Sequence, residues 1–125
     1  MTKRILVVDD EPALTRMIKM SLEQTGRFEV RTENQGSAAL PAVREFQPDL
    51  VVLDVMMPDM SGDEVAAQLK ETPGLENTRF IFLTAIVTRE ETDATGAQIG
   101  GNTFLAKPIK AGELVAAIDL ALGAA

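Results

Sequence analysis

The chain contains no cysteine and no histidine. The first absence excludes disulfides, thiolate nucleophiles and cysteine-held metals, and is compatible with a reducing cytosol. The second removes the commonest general base, the serine–histidine–aspartate triad and histidine-ligated zinc. Positive charge is in deficit: 12 Lys and Arg stand against 19 Asp and Glu, a formal net of −7, the wrong sign for tracking a nucleic-acid backbone. No apolar run reaches the roughly 18 residues of a membrane span, and the opening segment MTKRILVVDD turns acidic too early for a signal peptide. The expectation is a cytoplasmic protein with no membrane or direct nucleic-acid contact. Its chemistry falls to carboxylates, hydroxyls, lysine and backbone.

What is present suffices for a core. With 125 residues, 46% of them apolar, the chain suits one domain over residues 1–125. Ile5 to Val8 is a continuous aliphatic run, as in a strand buried on both faces. Leu14, Met17, Ile18 and Leu22 then fall on one helical face, with Pro12 at the start and Gly26 as the stop. Phe28 and Val30 alternate with polar residues, which predicts a half-exposed edge strand. A second helix through Ala38, Ala39, Val43 and Phe46 contains Pro41, tolerable only if the helix starts near Ser37. Leu50 to Leu53 predicts a third strand, Val65, Ala66 and Leu69 a helix, and Phe80 to Leu83 a fourth strand. Residues 89–99 read as a poor helix interrupted by Gly96. Thr103 to Ala106 predicts a fifth strand, and Leu114, Val115, Ile118 and Leu122 a final helix. This alternation predicts an α/β, flavodoxin-like doubly wound (βα)5 fold with a five-stranded parallel sheet in the order 2-1-3-4-5.

In such sheets ligands bind at the carboxyl ends of the strands, near the point where strand order reverses. Here the first strand ends in Asp9-Asp10-Glu11, the third in Asp54, the fourth in Thr84 and the fifth in Lys107. Two carboxylates about 5 Å apart repel by roughly 3 kcal/mol at an effective dielectric of 20. Three repel by more than one lysine offsets, so a divalent cation is expected. An all-oxygen site without histidine or cysteine selects Mg²⁺, Mn²⁺ or Ca²⁺ over zinc. An aspartate at the open side of such a site can act as a nucleophile toward phosphorus.

The run from Ile5 to Glu11, the segment from Asp54 through Pro58 to Gly62, the pair Thr84-Ala85, and the segment from Phe104 to Pro108 together resemble the receiver domain of two-component response regulators, including the single-domain chemotaxis type. The resemblance covers essentially the whole chain. It implies an aspartyl-phosphate at Asp54, received from a phosphohistidine on a sensor histidine kinase or histidine phosphotransfer protein. It implies a Mg²⁺ site of Asp9, Asp10, Asp54 and the backbone carbonyl of Met56, with Asp10 a direct ligand and Asp9 acting through water. Thr84 and Lys107 would close on the phosphoryl group. Phe104, at the family's aromatic switch position, would then change rotamer and remodel the face of the fourth helix, fifth strand and fifth helix for a downstream target protein. The Lys107–Pro108 peptide bond is expected to be cis. The result is a phosphorylation-dependent switch rather than a turnover enzyme, either free-standing or the input part of a longer regulator.

Some features depart from the family. The stretch from Thr84 to Lys107 is one residue longer than usual, Asn102-Thr103 replaces acidic residues common before the switch aromatic, and Pro41 is uncommon. Met56 and Ile86, two residues beyond Asp54 and Thr84, are apolar where they would border the phosphoryl group. Apolar cover orients no attacking water, so slow dephosphorylation is expected. A haloacid-dehalogenase-like phosphohydrolase would resemble Asp-x-Asp, but Met56 stands at the general-acid position. A dinucleotide or flavin site would require a glycine- or hydroxyl-rich loop where Asp9-Asp10-Glu11 lies. A degenerate receiver acting only as an interaction module would not need all five site residues.

Overall fold

The computed structural model describes residues 2–84, 97–99 and 102–123. Five strands, β1 (Lys3–Val8), β2 (Phe28–Glu33), β3 (Leu50–Asp54), β4 (Phe80–Thr84) and β6 (Asn102–Ala106), run parallel in the spatial order β2-β1-β3-β4-β6. This is the expected 2-1-3-4-5 arrangement, with β6 as its fifth member. The described helices are α1 (Pro12–Glu23), α2 (Ala39–Phe46), α3 (Gly62–Glu71) and α4 (Ala111–Ala121), with a 3₁₀ turn at Gly36–Ala38 leading into α2.

Side chains of the central strands alternate between two apolar layers, as the period of two requires. Ile5, Val7, Leu50, Val52, Ile81 and Leu83 pack with α1 and α4 residues such as Ile18, Leu22, Leu114 and Ile118. Leu6, Val8, Val51, Leu53 and Phe82 pack on the other face against Val43 of α2 and Val65 and Leu69 of α3. Double-sided burial explains the unbroken aliphatic runs of β1 and β3. β2, at the edge, buries only Phe28 and Val30. Pro41 lies in the first turn of α2, where its missing N–H has no helical acceptor to lose. Gly26 takes φ +76° just past α1, which suits its role as the stop.

The predicted helix over 89–99 is corrected in its last part. Residues Ala97–Ile99 form a short strand, β5, antiparallel to β6 and extending the sheet to six strands. Residues 89–96 lie outside those described. In the sequence, Gly100-Gly101 stand between the paired Ile99 and Asn102, and a Gly-Gly pair favours tight hairpins. That local signal outweighs a helical pattern with few apolar residues.

Candidate functional site

The switch point lies between β1 and β3, which pair in register from Ile5 with Leu50 to Val8 with Leu53. Their next residues are therefore brought together: Asp9 just past β1, and Asp54 ending β3. Asp9 is fully buried and Asp54 nearly so, while Asp10 is half-buried. One carboxylate oxygen from each of Asp9, Asp10 and Asp54 lies within 4.8 Å of the others. Thr84, buried, ends β4, and the backbone bond from Lys107 N–H to the Thr84 carbonyl (2.9 Å) closes the same end of the sheet.

Lys107 reaches across this cluster. Its Nζ is 2.8 Å from Asp9 Oδ2, 3.3 Å from Asp54 Oδ1 and 3.4 Å from Glu11 Oε1. The contact to Asp9 Oδ2 is ionic without good hydrogen-bond direction, leaving that buried oxygen charge-compensated but without a directional donor. Asp9 Oδ1 accepts the Glu11 N–H at 3.0 Å, and Asp54 Oδ1 accepts the Met56 N–H at 3.3 Å.

Burial raises the Asp54 pKa to about 6, with the Asp9 charge adding to the rise and Lys107 and the Met56 N–H opposing it. Burial likewise raises Asp9, against the close ammonium of Lys107 and the hydrogen bond from the Glu11 N–H. For Lys107 burial acts downward, but Asp9 and Asp54 together outweigh it and hold the ammonium above its ordinary range. Desolvated acids beside one shared cation, gathered at one end of a sheet, are characteristic of a working site. The donor set is all oxygen and carries more negative charge than one lysine compensates, which fits a hard divalent cation.

The other expected residues fall as follows. Met56 follows β3 and its side chain is exposed. Phe104 is half-buried on β6, its ring stacked on Phe82 with centroids 5.0 Å apart. The Lys107–Pro108 bond is cis, as expected. Ile86 lies outside the described residues. Glu11 was not among the expected site residues, although it joins the lysine contacts. Its place in the acidic triplet after β1 was the available signal.

The model of the response regulator receiver domain family matches residues 5–119. The chain belongs to that family. This receiver domain is 44% identical over 112 residues to TcrX of Mycobacterium tuberculosis, a match covering 89% of this chain and 46% of that protein. It is 40% identical over 118 residues to the DNA-binding response regulator MtrA of Mycolicibacterium smegmatis, covering 94% of this chain and 50% of that one. The receiver domain thus spans about half the length of these curated relatives. Its fold superposes on the chemotaxis protein CheY4 of Vibrio cholerae with a TM-score of 0.81 at 26% identity, covering 97% of this chain and 99% of that one. No helix among the described residues is long and apolar enough to cross a membrane.

Proposed function

We propose that this receiver domain is a phosphorylation-dependent switch whose acceptor is Asp54. The observation that carries the proposal is the Lys107 ammonium held within 3.3 Å of both Asp9 and Asp54, in a cluster of three carboxylates. An Asp54 carboxylate oxygen attacks phosphorus, a P–O bond forms, and the P–N bond to the donor imidazole breaks, returning a histidine side chain to the donor. The donor class is a phosphohistidine protein, either a sensor histidine kinase or a histidine phosphotransfer protein. Asp10, Asp54 and the Met56 carbonyl would hold Mg²⁺, and Asp9 would act at one remove. That division is supported by Asp9 itself, since both its oxygens are engaged, by Glu11 N–H and by Lys107. Bound Mg²⁺ supplies the positive charge that offsets the carboxylates and the transferred oxygens.

Once Asp54 is phosphorylated to the acyl phosphate, Lys107 turns from the Asp54 carboxylate to a phosphoryl oxygen, and the Thr84 hydroxyl donates to another. Movement of Thr84 opens space behind β4 for Phe104, which leaves its packing on Phe82 and alters the surface of β6 and α4. Phosphorylation shifts an existing equilibrium through contacts made only in one state. Exposed, apolar Met56 offers no group to orient water, so the phosphoryl group is released slowly. MtrA is a DNA-binding regulator by name; in this chain the −7 net charge assigns signal input rather than DNA contact. The output is binding by a downstream protein that reads the altered face.

The test is incubation with a small phosphodonor, such as acetyl phosphate, and millimolar Mg²⁺, followed by intact-mass analysis. A covalent adduct that disappears in Asp54→Asn is the expected result, with incorporation reduced at least a hundredfold. Multiple turnover to inorganic phosphate would instead indicate a hydrolase, and no adduct an interaction module.

A further inference from the structure

β2 carries none of the site residues, yet the segment after it touches both acidic loops. Together with Glu33, the last residue of β2, it holds Asp9 at both backbone polar groups. The Asp9 N–H donates to the Glu33 carbonyl at 3.1 Å, and the Asp9 carbonyl accepts from Asn34 Nδ2 at 2.8 Å. The same Asn34 nitrogen reaches Oγ1 of buried Thr15 in α1 at 3.1 Å. Two residues later the segment engages the other loop. The Gly36 and Ser37 N–H groups donate to Oδ1 and Oδ2 of Asp59 at 3.1 and 3.0 Å. These donors, Ser37 foremost, hold the Asp59 carboxyl below its ordinary range.

Approach of the two segments is close. A Cβ on Gly36 would lie 2.8 Å from the Met60 carbonyl oxygen and 2.9 Å from the Met60 Cβ. The loop from Val55 to Ser61 is also tied at its ends, by Val55 N–H to the Leu83 carbonyl and Gly62 N–H to the Val55 carbonyl, both at 3.0 Å. Between those ties, the hydrogen bonds linking this loop to β2's side of the molecule are those of Asp59.

We infer that Asn34 to Ser37 form a strap across the switch point, with Asn34 and Asp59 as positioning residues that set the separation between the Asp9–Asp10 loop and the loop following Asp54. The inference rests on the proposed role of that cluster as a cation and phosphoryl site. Its physical basis is the mutual repulsion of carboxylates within 4.8 Å, which drives the two loops apart. The strap opposes that spreading through donors and acceptors outside the cluster, so the cation meets carboxylates already gathered. Groups that hydrogen-bond metal ligands govern affinity by orienting them, and the strap acts one step further out, on the backbone that carries Asp9 and on the loop that carries the Met56 carbonyl.

The test measures Mg²⁺ dissociation constants by titration calorimetry on the full chain, for wild type, Asn34→Ala, Asp59→Ala and the double variant. Each single substitution is expected to weaken binding about tenfold, and the double by little more, since either cut frees the strap. Asp59→Asn, keeping one acceptor oxygen, should recover part of the loss. Arg27→Ala, at the opposite end of the sheet, should leave the constant unchanged. A second readout needs no metal. In amide NMR spectra, cutting the strap at Asn34 should shift Met56, and cutting it at Asp59 should shift Asp10. Unchanged Mg²⁺ affinity in both single variants, with only thermal stability lowered, would reduce the strap to a helix cap and overturn the inference. Failure of wild type to bind Mg²⁺ would overturn the site reading instead, leaving the strap to be judged by the metal-free spectra: cross-strap shifts support it, and their absence refutes it.

Discussion

At the carboxyl end of the sheet, Asp9 and Asp54 are buried and the Lys107 side chain keeps 17% of its exposure. At the amino end, Lys3, Arg4, Arg27, Arg44, Arg79 and Asp49 all stand in water. That second end holds ion pairs too, Arg27 with Asp119 and Arg4 with Glu29. It also opens a cavity of about 700 Å³ lined by Lys3, Arg44, Asp49 and Arg79, which contains none of the site residues. That end has charges that solvent screens, and among the described residues the pKa shifts of Asp9, Asp54 and Lys107 arise where charges are desolvated together. Burial and mutual proximity, rather than the number of charges, separate the candidate site from the opposite end.

Three stability measurements by urea denaturation without divalent cations sharpen this contrast. The largest effect is expected from Lys107→Gln, which leaves Asp9 and Asp54 facing each other without their cation and should cost about 3 kcal/mol at pH 8. A loss no larger than that of an exposed pair would erase the distinction between the two ends. Next comes Asp54→Asn. The folded-state pKa of Asp54, about 6, lies above the ordinary 3.8. Between those values the folded state holds the proton more tightly than the unfolded chain, so stability falls as pH rises through that window and the full penalty persists above it. Two units correspond to about 3 kcal/mol, so Asp54→Asn should stabilise the metal-free protein by up to that amount at pH 8. The gain should vanish near pH 4. A gain that is independent of pH would show that the penalty is not ionisation. The smallest effect is expected at the amino end, where Arg27→Ala should cost less than about 1 kcal/mol and respond to added salt.

Much of the site was legible before any coordinates. Asp9, Asp54, Thr84 and Lys107 each follow an apolar strand run, and parallel strands in this order place such residues at one pole. Phe104 and the cis Lys107–Pro108 bond followed from family resemblance rather than from pattern. The misread region was Ala97–Ile99, where Gly96 and sparse apolar residues weakened a helix and the Gly100-Gly101 pair carried the hairpin signal. Asn34 and Asp59 had no legible role. Each sits in a loop with no periodicity, and its partners lie 19 to 25 positions away along the chain.

By itself, then, the amino-acid order determined the alternation of strands and helices, the buried centre of the sheet, and which strands end in a carboxylate, a hydroxyl or an amine. These depend on apolar periodicity and on residue type, both local properties. Tertiary structure alone decided that Lys107 lies 2.8 Å from Asp9 and 3.3 Å from Asp54, that burial and the Asp9 charge push the Asp54 pKa up to about 6, and that a segment after β2 joins the two acidic loops. Distances, desolvation and cross-loop hydrogen bonds arise only when remote segments share a volume from which water has been excluded, and no local pattern in the chain encodes that volume.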